Sequence, residues 1–308
     1  MDKKFVGWTT LAVTVAAMAA GFVMSATMAG CSKKSESKGT IIAYGRENNS
    51  GTYMYFKEHV LAKQDFASGI QTLPGTAAVI NAVSKDPHSI GYGGIGYAAK
   101  GVKILAIKKD AGSPAIAPSD ATVIDGSYPI SRSLYFYTVG EPTGTVREFV
   151  EWTLGAEGEK ICQDVGYYAL PADKKVALKG EAVADTKKAI TLKGSDTMVI
   201  LGQRWAEKYM EKKPGITVQV TGGGSGTGIA ALINGSTDVC ESSRPMEQKE
   251  KDQIKAKFGK DVCEIPVALD AIAIVVNETC PVKEASLEQL KGIYTGKITS
   301  WSDLGWKE

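Results

Sequence analysis

Thr221-Gly222-Gly223-Gly224-Ser225-Gly226-Thr227-Gly228 joins an alternating segment to an apolar one and is the key to the architecture. Residues 216–220 before it alternate as a strand does, and residues 229–233 after it are apolar, as in the buried part of a helix. A plain turn does not need such a long glycine run directly before a helix. The run supplies a strand-to-helix junction whose backbone can be approached closely, because Gly has no Cβ, and its hydroxyls add O–H donors. The first N–H groups of a helix have no partner within it, and the helix dipole favours negative charge there. Such a junction is suited to an anion.

The same design recurs outward in both directions. Residues 189–192 lead into Gly194-Ser195-Asp196-Thr197, and a helix is predicted over 198–210, with Leu201, Trp205 and Tyr209 spaced by four. Residues 40–44 form a short strand before Gly45-Arg46-Glu47-Asn48-Asn49-Ser50-Gly51-Thr52. The predicted helix 53–61 then carries Phe56, Val60 and Leu61 on one face. Further helices are expected at 77–83, 246–258 and 287–294. Strands are expected at 90–92, 103–107, 238–240, 262–265 and 272–276, the last two separated by the polar Asp270. This alternation is that of an α/β fold. Residues 172–188 hold few large apolar side chains and read as a surface linker.

A tetrahedral oxyanion needs donors from several directions, and one loop rarely supplies them all. Ser50, Gly51 and Thr52 form one candidate cap, with Arg46 as a rigid, charged fork beside it and Glu47 as a rival partner for that fork. Ser195 and Thr197 form a second, where a plain N-cap with Asp196 is the alternative. Ser225 opens the third. The glycine run lacks the Gly-Lys-Ser/Thr ending of a nucleotide phosphate loop and does not have dinucleotide spacing. An esterase elbow would need Gly two residues after Ser225, where Thr227 stands.

Composition narrows the classes further. The 308 residues are 44% hydrophobic and 23% charged, as in a folded soluble body, and the net charge is +2. No basic arm or stripe points to nucleic acid. The two histidines supply little for imidazole catalysis or a metal centre. Cys162, Cys240, Cys263 and Cys280 lack the paired spacing of a zinc site; Cys240 and Cys263 are the favoured disulfide pair, with free buried thiols as the alternative. No cofactor is expected.

The amino terminus reads separately. Lys3 and Lys4 precede an uncharged run over residues 5–29, the pattern of an export signal, although the run is also long enough for a retained anchor helix. Met28-Ala29-Gly30-Cys31 resembles the lipobox of bacterial lipoproteins, with Met28 where Leu is usual. On that reading residues 1–30 are removed, Cys31 carries lipid, and residues 31–39 form a tether.

Taken together, the motifs resemble the phosphate-binding receptors of bacterial ABC-type phosphate importers, the PstS family. The resemblance rests on Gly194-Ser195-Asp196-Thr197-Met198, residues 221–228, Ser243-Arg244-Pro245-Met246 and residues 267–277. It continues through Tyr294-Thr295-Gly296-Lys297-Ile298, Trp301-Ser302-Asp303-Leu304-Gly305, residues 46–52, Ile90-Gly91-Tyr92, residues 127–132 and Gly166-Tyr167. It implies an α/β, two-lobed periplasmic-binding-protein (type II) fold with central mixed sheets flanked by helices. The segments stand in circularly permuted order, since the family's second half, residues 39–171, here precedes its first, residues 189–308. One lobe would be residues 126–270, including the linker 172–188; the other would combine 40–125 with 271–308.

By the same resemblance, Thr197 and Met198 give backbone or hydroxyl contacts, Ser225 a hydroxyl contact, and Arg46 with Ser50, Gly51 and Thr52 the opposing clamp, with Ser195 and Ser243 beside them. Arg244 stands where some members carry an Asp that accepts a hydrogen bond from protonated phosphate. It either pairs with the anion or points away while Ser243 makes contact. Asp270 and Asp196 become the candidate acceptors, Asp270 being otherwise the partner of a neighbouring Arg. The implied function is capture of inorganic phosphate and delivery to an ABC transporter permease by a lipid-anchored, exported monomer that is not an enzyme and binds no metal. The alternatives are another oxyanion or a phosphate sensor on the same fold, and an exported phosphoryl-transfer enzyme.

Overall fold

A computed structural model describes residues 39–98, 100–180 and 187–306. The signal-like segment, Cys31 and its tether up to residue 38 lie outside the described residues, as do linker residues 181–186.

The amino-terminal part contains β1 (Ile42–Arg46), α1 (Gly51–His59), β2 (Gln71–Leu73), α2 (Thr76–Lys85) and β3 (Ser89–Gly94). Next come β4 (Val102–Ile104), β5 (Ala106–Lys108), α3 (Asp120–Ile124), β6 (Ser131–Val139), α4 (Gly144–Thr153) and α5 (Ala156–Asp164). After the linker follow β7 (Ala189–Gly194), α6 (Val199–Lys212), β8 (Thr217–Thr221), α7 (Ser225–Asn234), β9 (Val239–Ser242) and α8 (Gln248–Phe258). The chain finishes with β10 (Val262–Asn277), β11 (Glu284–Ser286) and α9 (Leu287–Tyr294).

Among the described residues one nine-stranded sheet runs β2-β1-β3-β10-β6-β9-β7-β8, with β4 also on β10. The pairs β1 with β2 and β3, and β7 with β8 and β9, are parallel, as βαβ crossovers require. β10 joins the two parallel groups: its first part pairs antiparallel with β6 as far as Ala271, and from Ile272 it pairs with β3. Expected strands 262–265 and 272–276 are therefore one strand of 16 residues. Asp270 does not interrupt it, because Arg132 is its register partner on β6. The expected strand 103–107 is in turn two, since at Leu105 the chain leaves β10 for a separate two-stranded sheet of β5 and β11.

The core divides accordingly. Phe56, Tyr92, Ile274 and Tyr294 belong to one buried cluster, and Phe136, Phe149, Leu201 and Trp205 to another. Two smaller clusters pack α7 and α8, and α2, onto the sheet. The expected Cys240–Cys263 disulfide is absent; Cys162, Cys240, Cys263 and Cys280 are all free thiols. Burial pushes the Cys162, Cys240 and Cys263 thiols up, that of Cys263 to about 11, which suits apolar packing.

Candidate anion-binding site

Three helix starts, those of α1, α6 and α7, meet through the loops that precede them. Ser50 caps α1, its Oγ accepting the Tyr53 N–H at 3.4 Å. Gly224, at φ 89°, turns the chain into α7, and a side chain there would place Cβ 2.7 Å from the Asn49 carbonyl oxygen. Ser195-Asp196-Thr197 turn the chain into α6, the Met198 N–H bonding the Ser195 carbonyl at 2.9 Å. The glycines therefore serve close approach of two loops as much as turn geometry.

Contacts across this junction are direct. Thr52 Oγ1 and Thr197 Oγ1 are 2.8 Å apart, and Gly226 N–H donates to the Asn49 carbonyl at 3.0 Å. Asn49 Nδ2 donates to the Gly223 carbonyl at 2.9 Å. Ser225 Oγ lies 3.3 Å from Ser243 Oγ and accepts the Ser243 N–H at 3.1 Å. Gly51 packs against both of these serine hydroxyls, so closely that any Cβ at position 51 would overlap them. Ser50, Thr52, Ser195, Thr197, Met198, Ser225 and Ser243 are all buried. The structure brings these predicted residues to one place.

The charged residues are arranged differently from expectation. Arg46 is buried, and its guanidinium donates to Glu47 through Nε and Nη2, each at 2.9 Å, to Thr76 Oγ1 at 2.7 Å and to Asp196 Oδ2 at 2.8 Å. The rival partner Glu47 thus holds much of the fork, and Arg46 ties the end of β1 to the loop before α6. Asp196 is fully engaged as well, its Oδ1 accepting the Gly223 N–H at 2.8 Å. Arg244 points away: its Nη1 and Nη2 donate to the two Glu250 oxygens at 2.9 and 2.7 Å. In this structure α8 therefore holds the Arg244 fork through a carboxylate in bidentate position, while Arg244 also lines the groove beside Arg132.

Arg132 is the residue that the sequence reading left without a role. Buried on β6, it donates through Nε and Nη2 to Asp270 Oδ2 at 2.9 and 2.8 Å. Its Nη1 donates to the Ser243 carbonyl at 2.9 Å, and its Nη2 reaches Thr52 Oγ1 at 2.9 Å and Thr197 Oγ1 at 3.3 Å. One guanidinium therefore touches the starts of α1 and α6 and the Ser243 carbonyl, and reaches the start of α7 only through Ser243. Asp270 is its partner, as the structural alternative for that residue anticipated, and Asp270 Oδ1 accepts the Ile95 N–H at 3.0 Å. Burial raises the Asp270 carboxyl, and Arg132 draws it back. The signal available in sequence was the pair itself: one basic and one acidic residue inside two apolar stretches must compensate each other.

Chemically, the junction offers backbone N–H groups, clustered hydroxyls and one central cation, with its carboxylates committed to arginines. Such a set has the chemistry to hold an oxyanion by hydrogen bonds. A groove of about 540 Å³ adjoins it, lined by Tyr55, His59, Arg132, Tyr135 and Met246 among others.

A family model described as PBP superfamily domain matches residues 29–157 and 179–308. The chain is 33% identical over 292 residues to phosphate-binding protein PstS 2 of Streptococcus agalactiae serotype V, covering 90% of this chain and 92% of that one. It is 38% identical over 140 residues to phosphate-binding protein PstS of Pseudomonas aeruginosa, covering 44% and 43% of the two chains. A crystal structure of the phosphate-binding protein of a phosphate ABC transporter from Streptococcus pneumoniae aligns with TM-score 0.62 and 27% identity, over 86% of this chain and all of that one.

Proposed function

This chain belongs to the PstS family of phosphate-binding proteins, and on that premise we propose that it captures inorganic phosphate at the α1–α6–α7 junction and delivers it to an ABC-type importer. The observation that supports the placement is that Thr52, Thr197 and the Ser243 carbonyl meet on Arg132, with Ser225 and Gly51 packed against Ser243 beside them. The anion's charge is met by helix-terminal N–H groups and one guanidinium already neutralised by Asp270. Binding and release then need no covalent step, and closure of the two parts over the anion excludes water, which strengthens each hydrogen bond. Closure is a shift of population towards the form that binds more tightly.

The test is titration of residues 32–308 with phosphate and with sulfate, repeated for Ser225→Ala. Saturable phosphate binding that weakens in the variant supports the site. Phosphate binding that Ser225→Ala leaves unchanged places the site elsewhere, and no binding by the parent chain removes the function. We take the protein to be a carrier and not an enzyme; turnover of phosphate esters by the purified chain would contradict this.

Two finer readings accompany this one. Cys31, after its signal-like run, is taken as the lipidated residue of an exported monomer anchored at a membrane surface; among the described residues no helix is long and apolar enough to cross a membrane. Mass spectrometry of the mature amino terminus tests the lipid directly. The order of the two halves is taken as a circular permutation, with lobes of residues 126–270 and 40–125 plus 271–308. Its support is that the ends of the described body meet: Thr40 bridges Ser300, Ile41 N–H donates to Thr299 at 2.8 Å, and Trp301 N–H donates to Gly39 at 2.8 Å. The streptococcal PstS 2 aligns over 90% of this chain, through both halves, so the permutation is taken relative to members such as the Pseudomonas protein, which aligns over 44% of it. An alignment of that Pseudomonas protein running through both halves in this chain's order would overturn it.

A further inference from the structure

Behind the Gly194–Thr197 turn the fold buries an acid that the phosphate site, as described, does not use. Glu241, on β9, is 0% exposed, and neither carboxyl oxygen has a hydrogen-bond partner among the described residues. Burying a polar group without a partner is costly, and cores keep few of them.

Its position ties Glu241 to the anion-binding turn. Gly194 is its register partner on β7, and the Glu241 carbonyl accepts the Ser195 N–H at 2.9 Å. The side chain faces α6, where Gly202 leaves the space it fills: a Cβ at position 202 would overlap Glu241 Oε1. Gly inside a helix weakens it, so the sequence gives up helix stability to seat this carboxyl. The hydroxyl of Ser195, one residue along the turn from Gly194, is likewise buried and without a partner. Two orphan polar groups therefore stand on the adjoining strand ends that carry Ser195, Thr197 and Ser243. Burial, and then the carboxylate of Asp196, push the Glu241 carboxyl well above the usual range, which keeps it protonated and able to donate.

We propose that Glu241 is a positioning residue of the phosphate site, whose carboxyl, unpartnered in this structure, pairs with the Ser195 hydroxyl as the two parts close on the anion and so holds the turn bearing Thr197 and Met198 from behind. The inference rests on the phosphate reading of that junction. It assigns a function to a group that packing alone would replace with an apolar side chain.

The test is isothermal titration of the full chain with inorganic phosphate, comparing Glu241→Gln, which keeps a donor, with Glu241→Met, which keeps the volume only. Glu241→Gln is expected to stay within about threefold of the parent and Glu241→Met to weaken by roughly tenfold or more, the scale of one lost hydrogen bond. Glu241→Met is also expected to melt at higher temperature, because it removes an orphan polar group. A merely structural acid gives the opposite separation: altered melting with phosphate affinity unmoved. Glu241→Met binding within about threefold of the parent overturns the proposal. Should that variant not fold, Gly202→Ala carries the test, since its methyl displaces the carboxyl, and unchanged phosphate affinity overturns the proposal equally. Parent chain that binds no phosphate would defeat the underlying function instead, so the two failures are distinguishable.

Discussion

Arg132 and Arg46 are both buried, and their partners separate their roles. Arg132 sits between Asp270 and the hydroxyls of Thr52 and Thr197, whereas Arg46 is held by Glu47, Thr76 and Asp196. Arg132→Met is expected to weaken phosphate binding by about tenfold to a hundredfold, the loss of hydrogen bonds from a charged donor. It also strands Asp270, which costs about 3–5 kcal/mol when one partner of a buried pair is removed. Adding Asp270→Asn is expected to recover much of the stability, read by urea unfolding, and none of the affinity, read by titration.

Glu241 gives a pH signature at the same scale. Its folded carboxyl is raised by burial, so the native state keeps a proton that the unfolded chain releases above about pH 4.3. The unfolded state then binds fewer protons, and stability falls as pH rises, by about 1.4 kcal/mol per pH unit until the folded group itself titrates. Wild type should therefore lose stability relative to Glu241→Gln as pH rises above the unfolded value of about 4.3, in paired urea unfolding series. Parallel curves would show that Glu241 does not hold a proton in the fold.

At the scale of elements, three helix starts and one long strand do most of the positioning. β10 carries Asp270 from one group of strands to the other without a break, and β6 lies beside it with Arg132 in register. The start of α1 fits against the start of α7 only because position 51 has no Cβ. Gly51→Ala is therefore expected to hold the two loops apart. Phosphate affinity should drop by roughly tenfold or more, while stability changes by about 1 kcal/mol or less, because the strain is relieved by opening and not by unfolding. Equal loss of both would indicate that the helix itself fails to form.

On the scale of the whole molecule, the bridge between Thr40 and Ser300 puts the ends of the described body side by side. The linker 172–188 is largely exposed along its described part. A chain that joins residue 306 to residue 39 through a short linker and opens within 181–186 should fold and bind phosphate with affinity close to the parent. Termini that are near and exposed connections that carry few contacts tolerate such rearrangement. Failure of that chain to fold, checked by circular dichroism, would count against the permuted reading.

The α/β alternation, the three hydroxyl- and glycine-rich junctions and the family were legible from the residues alone, because each depends on local periodicity or on residues adjacent in the chain. It located Ser50–Thr52, Ser195–Thr197 and Ser225, and it recognised Glu47 as a competitor for Arg46. Only the tertiary structure decided that Arg132 with Asp270 is the central pair, that Arg244 belongs to Glu250, and that residues 262–277 are one strand. Those outcomes turn on partners more than a hundred residues apart, or on which way a long side chain swings, and ion pairing in a buried site follows distance in space. A charge interrupting an apolar run looks like a break in sequence, yet inside the sheet Asp270 continues the strand because the neighbouring strand brings its counter-charge.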